Sequence, residues 1–105
     1  MRRFARCMGK EEFKETKRTG IINDHGRGEV PVFDYPEHVE KRILGMGKKE
    51  LREYFRGIGV RETYAIMVFG IDEKLAEENL WQKNGLKEYL IPEGTEVEIE
   101  YWIKL

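Results

Sequence analysis

Few side chains of this 105-residue chain stand in a pattern that could do chemistry. The single cysteine, Cys7, and the two histidines, His25 and His38, lack the spacing of a zinc site. A nucleophilic pair of Cys7 with a histidine would need the fold to bring them together, and a lone cysteine beside a strand is more often a small buried side chain. A Walker loop and a dinucleotide-binding glycine fingerprint are both absent, which disfavours the common nucleotide-binding enzymes.

Three other polar side chains lie on predicted strands or at their ends. Arg6 is on the first strand, Tyr35 ends the second, and Glu88 is on a late strand. A guanidinium binds phosphate in bidentate fashion, and a fixed carboxylate stabilises a developing positive charge. His25, in a polar loop, is a further candidate for ligand contact.

Hydrophobic periodicity and the positions of glycine and proline predict the elements that carry these residues, in the order β-α-β-α-α-β-α-β-β. In the first half of the chain we expect a strand over Phe4–Met8, a helix over Lys10–Thr19, a loop over Ile21–Glu29 and a strand over Val30–Tyr35. A helix should begin near Pro36, with Asp34 as a capping carboxylate and with Val39, Ile43 and Leu44 buried. In the rest of the chain we expect a helix over Lys48–Arg56, a strand over Tyr64–Ile71, a helix over Glu73–Trp81 closed by Asn84-Gly85, a strand over Glu88–Ile91, and a final strand.

Two of these strands have distinctive patterns. Tyr64–Ile71 is apolar on both faces and should be a central strand covered by helices. The final strand alternates, so Val97, Ile99, Tyr101, Ile103 and Leu105 are expected to face one way. Trp102 falls on the opposite, polar face, where it would cover a neighbouring element or mark a contact surface. The whole pattern predicts a single α+β domain over residues 1–105, with a mixed or antiparallel sheet and packed helices.

Composition and charge indicate the setting of this domain. Apolar residues make up 40% and charged residues 37% of the chain, a balance typical of thermophile proteins with dense surface ion pairs. A single cysteine excludes an intrachain disulfide, and no run is long and apolar enough for a signal peptide or membrane span. We therefore expect a soluble cytoplasmic protein without a membrane partner.

Several segments resemble small ADP-ribosyltransferase-like domains of the toxin or effector type. The stretch Phe4–Phe13 with the following Thr19-Gly20 resembles their opening strand, helix and exit. Val32–His38 looks like their second strand running into a helix, and Glu88–Pro92 looks like the late strand with the catalytic glutamate. The resemblance covers most of the chain as a pattern of elements, through short motifs.

This resemblance implies an activity and a role for each candidate residue. It implies cleavage of NAD, as a substrate, and transfer of ADP-ribose to a protein or nucleic-acid acceptor. Glu88 would be catalytic, and Arg6 and Tyr35 would bind NAD, with His25 as an additional contact. The chain departs from the family at Leu86, where many members carry Glu or Gln, and in lacking a Ser-Thr-Ser element on the second strand.

Two alternative functions remain open at this stage. Residues 1 to 20 hold seven Lys or Arg against three Glu, whereas residues 71 to 105 hold four Lys against nine Asp or Glu. A nucleic-acid-binding or ribonuclease-like domain would use the basic end, through Arg2, Arg3, Arg6, Lys10, Lys14, Lys17 and Arg18. A non-catalytic protein-interaction domain would instead use Trp81 or Trp102 as an anchor.

Overall fold

The computed structural model describes residues 1–23, 26, 28–60, 63–83 and 85–105. Its strands and helices are, in chain order, β1 (Arg2–Met8), α1 (Lys10–Thr19), β2 (Ile21–Ile22), β3 (Glu29–Asp34), α2 (Glu37–Leu44), α3 (Lys48–Gly57), β4 (Ala65–Ile71), a 3-10 turn (Glu73–Leu75), β5 (Glu77–Lys83), β6 (Leu86–Pro92), β7 (Thr95–Glu96) and β8 (Glu98–Lys104).

Six strands form one antiparallel sheet, in the order β5-β6-β3-β1-β4-β8. The short strands β2 and β7 form a separate antiparallel pair. The predicted α+β class, with an antiparallel sheet and packed helices, is confirmed. No helix within the described ranges is long and apolar enough to cross a membrane.

The sheet has a hydrophobic core on each face. On the first face, Phe13 of α1 and Ile22 of β2 pack over Phe4, Met67 and Phe69. On the second face, side chains of α2 and α3 pack over β1, β3 and β4; they include Val39, Ile43, Leu51 and Phe55. Alternate residues of a strand point to opposite faces, so the register assigns every sheet residue to one core.

The apolar run near the middle of the sequence forms β4, as predicted. All seven of its residues are buried, and it lies between β1 and β8 in the sheet. Ala65, Met67 and Phe69 face the first core, while Ile66 and Val68 face the second. The strand is apolar on both faces because helices cover both sides of the sheet.

The predicted helix over Glu73–Trp81 is wrong. Asp72 caps a turn as expected, accepting a hydrogen bond from the Lys74 N–H at 3.0 Å, but the turn ends at Leu75 and strand β5 follows. Lys83 of β5 pairs with Leu86 of β6, so these strands form a hairpin; Asn84 of the predicted Asn84-Gly85 turn lies outside the described residues. An Asn-Gly pair is typical of two-residue hairpin loops, and pairing with β6 overrode the helical spacing of the leucines.

Smaller differences lie around the second strand. Ile21–Ile22, predicted as part of a loop, forms β2 because Thr95–Glu96 pairs with it. No side chain caps α2, and Asp34 instead forms an ion pair with Arg2 at 3.1 Å. Leu44, predicted to be buried, is exposed at the end of the helix.

The predicted uniform alternation of the last strand is also wrong. Val68 pairs with Tyr101 and Phe69 pairs with Ile99, so Glu100 is an extra residue at a β-bulge. After the bulge the odd-numbered side chains point to the opposite face of the sheet. Val97 and Ile99 pack against the first core, whereas Tyr101, Ile103 and Leu105 pack against the second.

Helix α1 ends at Gly20, which has a positive φ of 70° and donates its N–H to the Thr16 carbonyl at 2.7 Å. We expect Gly20→Ala to lower the free energy of unfolding by about 1–2 kcal/mol, because a Cβ is strained in the left-handed region. Urea denaturation of the purified protein measures this change.

Gly57→Ala is the matched control for this change. Gly57 lies within α3, and an added Cβ there would meet no atom within 4 Å. This variant should be neutral or gain about 0.5–1 kcal/mol, because alanine favours the helix. Equal destabilisation by both substitutions would contradict the role assigned to the Gly20 conformation.

Candidate functional site

Arg6 lies on the first face of the sheet, where it is already engaged by protein groups. The register pairs it with Met67, a residue of the first core. Its Nε donates to Glu12 Oε2 of α1 at 2.9 Å, and its Nη1 donates to the Pro31 carbonyl of β3 at 2.7 Å. Only 15% of its side chain is exposed, so Arg6 ties α1 and β3 to β1.

Tyr35 lies at the end of β3 on the second face and is fully buried. Its hydroxyl lies 2.9 Å from the hydroxyl of Tyr101. Burial, partly offset by the hydrogen bond with Tyr101, raises the pKa of Tyr35 above its ordinary value. A ring without exposed surface makes no contact with a ligand in this conformation.

Glu88 is half-buried on β6, with its carboxylate on the second face. It pairs with Phe33 of β3, whose ring belongs to the second core. The side chain of Asn79, on the neighbouring strand β5, donates a hydrogen bond from Nδ2 to Glu88 Oε1 at 2.5 Å. The amide holds one carboxylate oxygen in place, and the carboxylate keeps capacity for further hydrogen bonds.

The structure therefore brings together only part of the predicted site. Tyr35 and Glu88 share the second face, on adjacent strands, but the Tyr35 hydroxyl is directed to Tyr101. Arg6 is on the opposite face, separated from both by the sheet. His25 lies outside the described residues.

A cavity of about 190 Å³ lies near the edge of the sheet that β5 and β6 form. Its lining consists of Gly28, Glu29, Leu75, Glu77, Leu90, Ile91 and Pro92. By strand alternation Leu90 points to the same face as Glu88, two residues away, and the register pairs it with Glu77. The cavity thus combines apolar walls with two carboxylates, and the Glu88–Asn79 pair lies next to its lining, two residues from Leu90 along β6.

A second polar cluster, which sequence reasoning missed, centres on Arg3. Its guanidinium donates to both carboxylate oxygens of Glu40, at 3.0 and 2.7 Å, and to Glu100 at 2.6 Å. The hydroxyl of Tyr101 also donates to Glu40, at 2.7 Å. The contact of α2 with the middle of β8 joins residues far apart in the chain, so no sequence motif indicates this cluster.

Electrostatics in the Arg3 cluster favour the charged carboxylate and the neutral phenol. Hydrogen bonds from Arg3 and Tyr101 lower the pKa of Glu40 to about 2. Burial, followed by the hydrogen bonds with Tyr35 and Glu40, raises the pKa of Tyr101 well above its usual range. The cluster is therefore a fixed structural contact near neutral pH rather than a proton-transfer group.

Cys7 has the properties of a structural thiol. Burial raises its pKa to about 12, with a smaller opposing effect from the charge of Arg6. The thiolate, which is the nucleophilic form, is thus scarce near neutral pH. Among the candidates of the described chain, Glu88 has the environment best suited to chemistry.

The Arg3–Glu40 contact makes stability depend on pH. Because the pKa of Glu40 is lowered from 4.5 to about 2, its contribution is complete above pH 4.5 and is lost as the pH falls toward 2. We expect Glu40→Gln to be less stable than wild type near neutral pH, and the difference to shrink across this acidic range. Urea unfolding at stepped pH measures it.

Glu37→Gln is the control in the same helix, because Glu37 forms an exposed pair with Lys41. Its stability should follow that of wild type across the acidic range. A Glu40→Gln difference that stays constant from pH 4.5 to 2 would contradict the lowered pKa.

Comparisons with known proteins do not assign this site. No family model matches the chain, and no curated protein or solved structure matches it.

Proposed function

We propose that this protein is ADP-ribosyltransferase-like and cleaves NAD with Glu88 as the catalytic carboxylate, passing ADP-ribose to a protein or nucleic-acid acceptor. The observation that carries this proposal is the half-buried Glu88 carboxylate, held by Asn79 beside a cavity with apolar and acidic walls.

The chemistry of the bond suits such a carboxylate. Breaking the glycosidic bond of NAD releases neutral nicotinamide and leaves positive charge on the ribose, with the character of an oxocarbenium ion. A carboxylate already oriented by an amide stabilises that charge without reorganisation, and it also accepts a hydrogen bond from a ribose hydroxyl. Glu88 meets both requirements, since Asn79 engages one of its oxygens.

The cavity adds a second argument for NAD. The nicotinamide ring of NAD is flat, apolar on its faces and positively charged. Leu75, Leu90 and Pro92 supply apolar surface, while Glu29 and Glu77 supply negative charge. Apolar walls with a few placed charges are typical of small-molecule sites.

The proposal revises the roles that the sequence resemblance implies. Arg6 has no part in it, because its guanidinium is bound by Glu12 and Pro31 on the far face of the sheet. Tyr35 has no direct contact with NAD in it either, because its ring is fully buried. The proposed contacts to NAD are Glu88, Asn79 and the cavity.

Release of nicotinamide from NAD, followed by one-dimensional proton NMR, tests this function. We expect wild type to release nicotinamide and Glu88→Gln to reduce the rate at least about 100-fold, because the amide lacks the charge that stabilises the transition state. Asn79→Ser should reduce the rate less, since the carboxylate remains but loses its orienting partner.

Glu78→Gln is the matched control on the same hairpin. Glu78 pairs with Tyr89, a residue of the first core, so its side chain belongs to the opposite face of β5 from Asn79. This variant should keep the wild-type rate. If Glu78→Gln lost as much activity as Glu88→Gln, or if wild type neither released nicotinamide nor broadened the NAD signals, the proposal would fail.

A further inference from the structure

Helix α1 separates its charges into two flanks. At 100° per residue, Lys10, Lys14 and Lys17 lie together on one side of the helix, and Glu11 and Glu15 lie on the other. All five side chains are exposed. The helix therefore presents a stripe of ammonium groups along one edge of its contact with the sheet.

Aromatic side chains lie beside this stripe. The Lys17 ammonium is 4.7 Å from the ring centre of Trp102, which is 38% exposed on β8. The Trp102 ring meets Phe13 of α1 edge-on, at 5.6 Å between centroids, and Phe13 also contacts the half-buried Tyr64. A cation and an exposed indole are thus held next to each other by the core packing of α1.

The bulge in β8 keeps a carboxylate away from this region. Glu100 is the extra residue of the bulge, and its side chain binds Arg3 in the second-face cluster. Trp102 pairs with Met67 and Lys104 pairs with Ala65, both residues of the first core. We call Lys10, Lys14, Lys17, Tyr64, Trp102 and Lys104 the cationic aromatic surface.

From this arrangement we infer that the cationic aromatic surface binds single-stranded nucleic acid, DNA or RNA. Such binding requires two features: lysines that contact successive phosphates, and an aromatic ring on which a base stacks. An exposed Trp102 alone would suit a protein partner equally, but a row of ammonium groups beside it is complementary to phosphate charge.

The other basic residues near the N-terminus are engaged elsewhere. Arg2 pairs with Asp34, Arg3 with Glu40 and Glu100, and Arg6 with Glu12. The binding surface is therefore the lysine flank of α1 rather than the basic segment as a whole. It lies on the first face, away from Glu88, and does not depend on the proposed NAD chemistry.

Fluorescence anisotropy with labelled oligothymidine and oligouridine of about 12 nucleotides tests this inference. Both should bind at about 25 mM salt and weaken at about 150 mM, in a linear relation between log affinity and log salt concentration. The combined Lys14→Gln and Lys17→Gln variant should bind at least about tenfold more weakly and lower the salt slope by about 1.4. Trp102→Ala should bind at least about fivefold more weakly.

The combined Lys48→Gln and Lys49→Gln variant removes the same charge from exposed positions of α3 and should bind like wild type. Circular dichroism checks folding; if Trp102→Ala fails to fold, the two lysine pairs decide the test, because their side chains are exposed. A preference for DNA or for RNA supports the inference and identifies the natural strand.

Three results with the wild type and the lysine variants would overturn the inference, and a fourth concerns Trp102→Ala. They are absent binding at low salt, equal weakening by the α1 and α3 lysine pairs, and displacement of the oligonucleotide by polyglutamate at equal charge concentration. The last result would indicate an acidic protein partner. A folded Trp102→Ala variant that binds like wild type would also count against it, because base stacking would then be absent.

Discussion

The burial of β4 on both faces is the constraint on which the rest of the structure depends. A strand with no exposed residue needs an apolar layer above and below it, and this short chain supplies one from α1 with β2 and another from α2 with α3. Burying one of the larger side chains of β4, compared with leaving it exposed to water, contributes about 1.5–3 kcal/mol to the free energy of unfolding. The burial of β4 therefore requires an apolar layer on each face of the sheet. These layers determine which parts of the sheet remain accessible to ligands.

The strand β1 joins both layers through its arginines. Arg2 and Arg6 point to the first face, where they bind Asp34 and Glu12, while Arg3 points to the second and binds Glu40 and Glu100. Each guanidinium connects β1 to another element, so the basic N-terminal strand is a structural connector. The same use of charge engages these arginines with carboxylates, whereas Lys10, Lys14 and Lys17 of α1 are exposed.

The two proposed functional surfaces occupy opposite faces because strands have a period of two residues. Glu88 lies on the second face near the edge formed by β5 and β6, where it and Leu90 are half-buried, and the cavity lies at the same edge. Trp102 and the lysines of α1 lie on the first face near the opposite edge, formed by β8. The bulge at Glu100 sets this second arrangement, since it sends Glu100 and Trp102 to different faces.

By itself the sequence determined most elements and the α+β class, because local patterns carry that information. The apolar run of β4, the charge order and Gly20 of α1, and the turn residues between strands predict structure within a few neighbouring residues. It could not separate a helix from a strand at Glu77–Lys83, where pairing with the distant β6 decided the outcome.

Only the tertiary structure decided which candidate residues share a site. The sequence placed Arg6, Tyr35 and Glu88 on strands, but the facing of each side chain depends on register, and a shift of one residue reverses it. Register here is set by contacts between residues far apart in the chain, such as Arg6 with Met67 and Phe33 with Glu88. That is why Glu88 gained a partner in Asn79, while Arg6 was turned to the opposite face and bound by Glu12.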